Sequence, residues 1–290
     1  MARLVDALVS HGYERGVDLV AAPYDFRLAP ISSSASIAQT ILLIEDFSRR
    51  NQNAKVAIAS HSMGSIVTLF LLQNQPQSWK DRYIKFWTSF AGIFAGAAVE
   101  FKVFASGDNF DIKIVSSRSV VTEQRSYESN FWMLPDPAVW PDDLDILLTP
   151  AGNYTARDAK IFFRDIGDDN GPALVARTTG ITRVDVAPQV PVQMLIGYGV
   201  PTPLQFMYTK GDKTSWFKHQ PTKLVTGEGD GTVNLLSLTA PLDSWRRQQK
   251  HVNVRYFANV SHADMIRDEG PILAFLQHLG LFAAFENQES

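Results

Sequence analysis

Val56-Ala57-Ile58-Ala59-Ser60-His61-Ser62-Met63-Gly64-Ser65-Ile66 decides how the rest of the chain is read. The short continuous apolar run Val56 to Ala59 predicts a buried strand, and the spacing of apolar residues from Ile66 to Asn74 predicts a helix. A chain that leaves a strand and enters a helix within so few residues turns sharply. Small residues two before and two after the turning residue let the two elements approach, and Ser60 and Gly64 occupy those places around Ser62. Such a turn holds its serine in a strained backbone conformation with the hydroxyl exposed. The plainer alternative is a Ser/Gly turn between two core elements.

Working outward, an apolar segment of helical period runs to Val9, and Gly12 stops it. The short apolar run Val17 to Ala22 gives a strand pattern, and a second helix starts near Ser36 with Ile37, Ile41, Ile44 and Phe47 on one side. Beyond the turn, Lys85 to Phe90 is the next strand. This βαβα order predicts a parallel sheet covered by helices. From about Phe101 to Pro188 the period gives way to Pro, Asn, Asp and aromatic residues, which reads as an insertion over the sheet, a lid or binding loop. Strand patterns return at Val190 to Ile196 and Val252 to Phe257, and a last helix carries Ile272, Phe275, Leu276 and Leu279. The division expected is core over 1–100, cap or lid insertion over 101–189, and core again over 190–290.

Composition narrows the function classes. A chain of 290 residues, 45% hydrophobic and 20% charged, can bury a substantial core. Its net charge of −3 leaves no basic stripe for phosphates, which argues against a nucleic-acid partner. No apolar run reaches the roughly eighteen residues of a membrane span, so any membrane contact is expected to be peripheral. Met1 to Val9 carries Asp6 in its middle and no small-residue cleavage site, and reads as a helix inside a fold rather than a signal peptide. With no cysteine, disulfides, thiolate zinc sites and a cysteine nucleophile are all excluded.

A serine hydroxyl becomes a nucleophile only when a base takes its proton, and the base needs an acid to fix its tautomer. Six histidines compete for the first role. His61, beside Ser62, is expected to point away from the reaction; His11, His219 and His278 fall on a helix end, in a loop and on the terminal helix. His251 and His262 flank one predicted strand. Chemistry in open α/β sheets gathers at the carboxyl ends of strands, which selects His262 over His251. The plainer reading of His262 is a histidine at a helix start before Asp264. For the acid, Gly227-Glu228-Gly229-Asp230-Gly231-Thr232-Val233 puts Asp230 in a tight glycine-flanked loop. It lacks the lysine of a P-loop and the ligand spacing of an EF-hand, and an ordinary solvated turn is the alternative. The expected machinery is Ser62 as nucleophile, His262 as base, Asp230 as acid and the backbone N–H of Met63 as oxyanion donor, with no metal and no cofactor. The chain order Ser, Asp, His is that of α/β-hydrolases.

Several motifs in order resemble the lecithin:cholesterol acyltransferase family, and within it the lysosomal phospholipase branch. They are Ala22-Pro23-Tyr24-Asp25-Phe26-Arg27, His61-Ser62-Met63-Gly64, Gln75-Pro76-Gln77-Ser78-Trp79-Lys80-Asp81, Ala105-Ser106-Gly107-Asp108-Asn109, Gly199-Val200-Pro201-Thr202-Pro203 and Gly229-Asp230-Gly231-Thr232-Val233-Asn234. The resemblance covers nearly the whole chain. It implies an α/β-hydrolase fold, a mostly parallel sheet with a cap or lid insertion, lacking the N-terminal strands that precede the matched region in the family. That preceding region also holds a membrane-contacting subdomain and the loop giving a second oxyanion donor. By the resemblance Ser62, Asp230 and His262 match the family triad, and the segment from about Gly107 to Asn130 corresponds to a mobile lid. The implied activity removes a fatty acyl group from a glycerophospholipid and passes it to water or a lipid alcohol, at a membrane or lipoprotein surface, in a lysosomal or secreted setting.

This chain departs from the family pattern in lacking its disulfide cysteines, including the pair expected near Val225 and Leu242, and in carrying Ile93-Phe94-Ala95-Gly96 where Pro-Trp-Gly-Gly is expected. The sequons Asn153-Tyr154-Thr155 and Asn259-Val260-Ser261 would permit glycosylation in a secretory setting. Two other readings stay open: a sterol O-acyltransferase of the same family, and a truncated, inactive product that binds lipid through its insertion.

Overall fold

Two four-stranded sheets organise the chain in the computed structural model, which describes residues 2–109, 114–212 and 215–281. The first is built from β1 (Val56–His61), β2 (Ile84–Phe90), β5 (Val192–Tyr198) and β8 (Val252–Ala258), in the order β1-β2-β5-β8. Every pairing in it is parallel, with Ile58 opposite Trp87, Trp87 opposite Val192 and Ile196 opposite Tyr256. Parallel neighbours need long crossovers. Between β1 and β2 the chain passes through α3 (Met63–Gln73) and α4 (Gln77–Tyr83). The central strands are buried on both faces, as Trp87, Phe90, Met194, Leu195 and Ile196 show. All four carboxyl ends therefore lie along one edge.

At the chain's start α1 (Ala2–Ser10) buries Leu4 and Leu8, one turn apart, and α2 (Ser34–Arg50) buries Ile44. Just past that helix, Gln52 and Asn53 take left-handed backbone, with φ of 57° and 62°. The strand pattern of Val17 to Ala22 does not become a strand. A ladder needs a partner, and here the Gly16 N–H closes a tight turn on the Leu19 carbonyl at 2.8 Å, leaving one isolated bridge between Arg15 and Leu19.

The stretch expected to be irregular holds α5 (Val99–Ser106), α6 (Ser117–Gln124), α7 (Glu128–Trp132), β3 (Leu147–Thr149), β4 (Gly152–Tyr154), α8 (Ala159–Asp165) and α9 (Gly171–Thr178). It also packs around a core separate from that of the first sheet, completed by residues from beyond 189. Phe101, Phe104, Phe131, Phe162, Phe163, Phe206 and Tyr208 pack together, with ring centroids of Phe104 and Phe131 4.4 Å apart and of Phe104 and Phe163 4.7 Å apart. Its elements are too short to show a period, so the aromatic residues look unpatterned in the sequence. The second sheet, ordered β4-β3-β6-β7, draws β6 (Thr202–Met207) and β7 (Lys223–Gly227) from beyond residue 189. Of the segment 107–130 matched to a lid, residues 110–113 lie outside the described residues. After β7 come α10 (Leu235–Thr239), α11 (Leu242–Gln248) and, beyond β8, α12 (Glu269–Leu279). Among the described residues no helix is long and apolar enough to cross a membrane.

Candidate active site

Ser62 stands between β1 and α3 with φ 56° and ψ −126°, a conformation that L-residues with a side chain rarely adopt. The surroundings over-determine it. Its N–H donates to the Phe90 carbonyl of β2 at 3.0 Å, and its own carbonyl accepts from the Ser65 N–H at 2.9 Å. Ser60 is more than small: its buried hydroxyl accepts from Trp87 Nε1 at 2.8 Å and meets Ser65 Oγ at 3.1 Å, while Ser89 Oγ donates to Ser65 Oγ at 2.9 Å. This polar chain beneath the turn ties β1, α3 and β2 together. At Gly64 an added Cβ would meet Tyr24 Oη at 3.6 Å and Ser60 Cβ at 3.7 Å, ordinary contact, so space alone does not demand glycine there. Met63 is the first residue of α3, so its N–H is one of the helix's unpaired N-terminal donors, at the end where the helix favours negative charge.

Asp230 is fully buried in the loop after β7. Its Oδ1 accepts from the N–H groups of Thr232 (3.1 Å) and Val233 (2.8 Å), and its Oδ2 faces His262 Nδ1 at 2.7 Å. The two neighbouring glycines are needed for different reasons. A Cβ at Gly229 would lie 2.3 Å from the Val233 carbonyl, whereas Gly231 sits at φ 91° and donates its N–H to Thr202 Oγ1 at 2.8 Å. Both shape the loop that aims the carboxylate.

His262 follows β8 and reaches across the intervening strands. Its Nε2 lies 2.8 Å from Ser62 Oγ and its N–H donates to the Asp230 carbonyl at 2.7 Å. The carboxylate at Nδ1 can only accept, which assigns the proton to Nδ1 and leaves the Nε2 lone pair for the Ser62 hydroxyl. The structure thus brings Ser62, His262 and Asp230 into one hydrogen-bonded row, with Met63 adjoining it. His251 precedes β8 at the opposite edge. His11 lies just past α1, His219 follows a short 3₁₀ turn (Trp216–Lys218), and His278 of α12 stacks on Phe86 at 4.0 Å.

The expectation that His61 points away is wrong. Its ring packs on that of His262, centroids 4.7 Å apart, and Nε2 lies 2.8 Å from the His262 carbonyl oxygen. A carbonyl only accepts, so Nε2 carries the hydrogen. Burial, reinforced by the neighbouring His262, lowers the imidazole to about 4 from its ordinary 6.5. The direction a side chain takes at a strand end has no periodic signal.

The departing stretch Ile93 to Gly96 keeps its last glycine for a steric reason. Gly96 has φ 75°, and a Cβ there would lie 2.1 Å from the Leu134 carbonyl. With Ile66, Trp132 and Leu134, residues Phe94, Ala95 and Gly96 line a cavity between α3 and the insertion.

A sequence profile of the lecithin:cholesterol acyltransferase family matches residues 1–174 and 175–269. The lysosomal phospholipase A and acyltransferase of Canis lupus familiaris is 36% identical over 277 residues, 95% of this chain and 66% of that protein. Its counterpart in Homo sapiens is 35% identical, covering 95% and 65%. The phosphatidylcholine-sterol acyltransferase of Oryctolagus cuniculus is 34% identical over 92% of this chain and 59% of its own. The chain thus spans about two thirds of the length of the curated relatives it matches. Among solved structures, a chain of the Tle4-Tli4 complex superposes with a TM-score of 0.62 at 13% identity, over 90% of this chain and 68% of that one. The fold is that of the α/β-hydrolases.

Proposed function

This chain belongs to the lecithin:cholesterol acyltransferase family, and on that premise we propose that it is a serine acyl hydrolase and acyltransferase acting on glycerophospholipids. The observation that carries the proposal is the row Ser62 Oγ, His262 Nε2, His262 Nδ1 and Asp230 Oδ2, joined at 2.8 and 2.7 Å. His262 Nε2 takes the hydroxyl proton as Ser62 Oγ attacks the ester carbonyl. The oxyanion forms beside the start of α3, where the Met63 N–H donates; one such donor typically supplies about 3–4 kcal/mol of transition-state stabilisation. Asp230, already accepting two backbone N–H bonds, holds and stabilises the imidazolium.

Collapse of the tetrahedral species breaks the bond to the glycerol oxygen, which leaves with the proton held on His262. The acyl group remains on Ser62 as an ester. Water or a lipid hydroxyl then gives its proton to His262 and attacks the acyl carbonyl; the bond to Ser62 Oγ breaks, and Oγ takes that proton back from His262, restoring the resting enzyme. Relatives named as a phospholipase A and acyltransferase and as a sterol acyltransferase support a phospholipid donor. The second of these names prints a sterol, and a sterol acceptor is the second reading it supports. The name of the first relative supports a lysosomal setting, and work at a lipid surface follows from a phospholipid donor as part of the same proposal. In this reading the aromatic core of the insertion 101–189 forms the cap over the site.

The test is release of fatty acid from phosphatidylcholine liposomes, with and without an added lipid alcohol. Ser62→Ala is expected to lose several orders of magnitude in turnover with an unchanged circular dichroism spectrum. Near-wild-type release by folded Ser62→Ala would overturn the assignment.

A further inference from the structure

The base of the row is held more firmly than its own side chain requires. Asp230 fixes His262 from one side through Nδ1 and through the main-chain N–H. Asp230 belongs to the loop after β7, however, and none of those bonds reaches the strand that carries the nucleophile. The bond from His61 Nε2 to the His262 carbonyl does, because His61 is the last residue of β1 and the immediate neighbour of Ser62.

We propose that His61 is a positioning residue for acyl transfer, clamping the main chain of His262 to the strand that carries Ser62 and so setting the approach of His262 Nε2 to Ser62 Oγ. The proposal rests on the triad reading above. The clamp joins residues on β1 and after β8, the two outer strands of the sheet among the described residues, so it ties the elbow directly to the base loop. A misplacement of about 1 Å between reacting groups costs on the order of 10²-fold in rate, so a single hydrogen bond at this junction has leverage. Its chemistry also suits the place. When His262 accepts the Ser62 proton it becomes positive with the His61 ring 4.7 Å away, and a charged neighbour would oppose that step. Burial keeps His61 uncharged above about pH 4 while leaving Nε2–H to donate.

The experiment compares wild type, His61→Leu and His61→Gln in the labelling rate of Ser62 by a fluorophosphonate and in kcat and KM on phosphatidylcholine liposomes, with thermal melting of each protein. His61→Leu is expected to lower labelling and kcat together by about 10- to 100-fold with KM within about twofold. His61→Gln, which offers an N–H donor on a similar reach, is expected to recover to within about fivefold of wild type. His61→Leu reacting at the wild-type rate, or folded His61→Gln as slow as His61→Leu, would overturn the clamp. If His61→Leu does not fold, ¹⁵N resonances of the wild-type imidazoles decide. A His61 protonated on Nε2 and not titrating between pH 5 and 8 supports the proposal; the opposite tautomer, or titration in that range, rejects it. Wild type that fails to label at Ser62, or labels equally well as His262→Ala, would instead sink the triad reading and the clamp with it.

Discussion

Glu100 shows how far a single side chain departs from its ordinary chemistry in this fold. It lies buried on α5 with Oε2 lacking a hydrogen-bond partner, and burial, reinforced by Asp108, raises its carboxyl to about 8 from 4.5. Below pH 4.5 both folded and unfolded chains keep this proton, and it contributes no pH dependence. As pH rises from 4.5 toward 8 the unfolded chain ionises while the folded one does not, and stability is lost across that window. The loss amounts to about 3 kcal/mol at pH 7. His61 acts with the opposite sign: its folded value lies below the ordinary 6.5, so stability falls as pH drops from 6.5 through about 4. Glu100→Gln is expected to raise urea stability at pH 7.5 markedly more than at pH 4.5. Parallel curves for the two proteins at both pH values would contradict this reading.

At the scale of elements, a buried carboxylate joins three segments distant in sequence. Glu128 of α7 accepts from the Ala29 N–H at 2.9 Å and from Ser32 Oγ at 2.9 Å, and forms an ion pair with Arg177 of α9, Nε to carboxylate 3.2 Å. Beside it the Ser129 N–H donates to the Arg27 carbonyl at 3.1 Å. The loop that follows Tyr24 is thereby fastened to the insertion. Glu128→Ala strands the buried Ala29 donor, and an unsatisfied buried group of this kind costs about 1–3 kcal/mol. The expected result is a stability drop of that size together with faster hydrogen exchange at the Ala29 and Ser129 amides. Unchanged exchange there would mean that other contacts hold the loop.

Over the whole molecule, the two sheets have separate cores that meet. Val99 and Ala240 pack against both, and the Ala95 and Ala98 N–H groups donate to Ser237 Oγ (2.9 Å) and Asn234 Oδ1 (3.2 Å) at the same junction. Two cores sharing a seam should unfold together. Phe163, fully buried, lies 4.7 Å from Phe104 and 4.9 Å from Phe131 between ring centroids. Phe163→Ala is expected to cost about 3–5 kcal/mol and to shift a single denaturant transition seen equally by tryptophan fluorescence and circular dichroism. Two separated transitions would show that the insertion's core folds on its own.

Much of the first sheet was legible along the chain, because strands buried on both faces and helices with one apolar stripe leave a local pattern. The strand before Ser62, the helix after it, β2, β5, β8 and the last helix all announced themselves this way. The candidate residues were legible too: Ser62 from its turn, Asp230 from its glycines, and His262 from the edge of the sheet on which a parallel strand must end. Only the tertiary structure decided that β6 and β7 complete the sheet begun by β3 and β4, since these short strands lack a continuous apolar run and β3 pairs with β6 across more than fifty positions. It also decided that Val17 to Ala22 finds no ladder, that Ser60 is a hydrogen-bonded node, and that His61 turns onto His262, 201 residues further along. Periodicity reports whether one side of an element is buried; it holds no record of which distant atom a side chain will meet, and that meeting is fixed only when the whole chain closes.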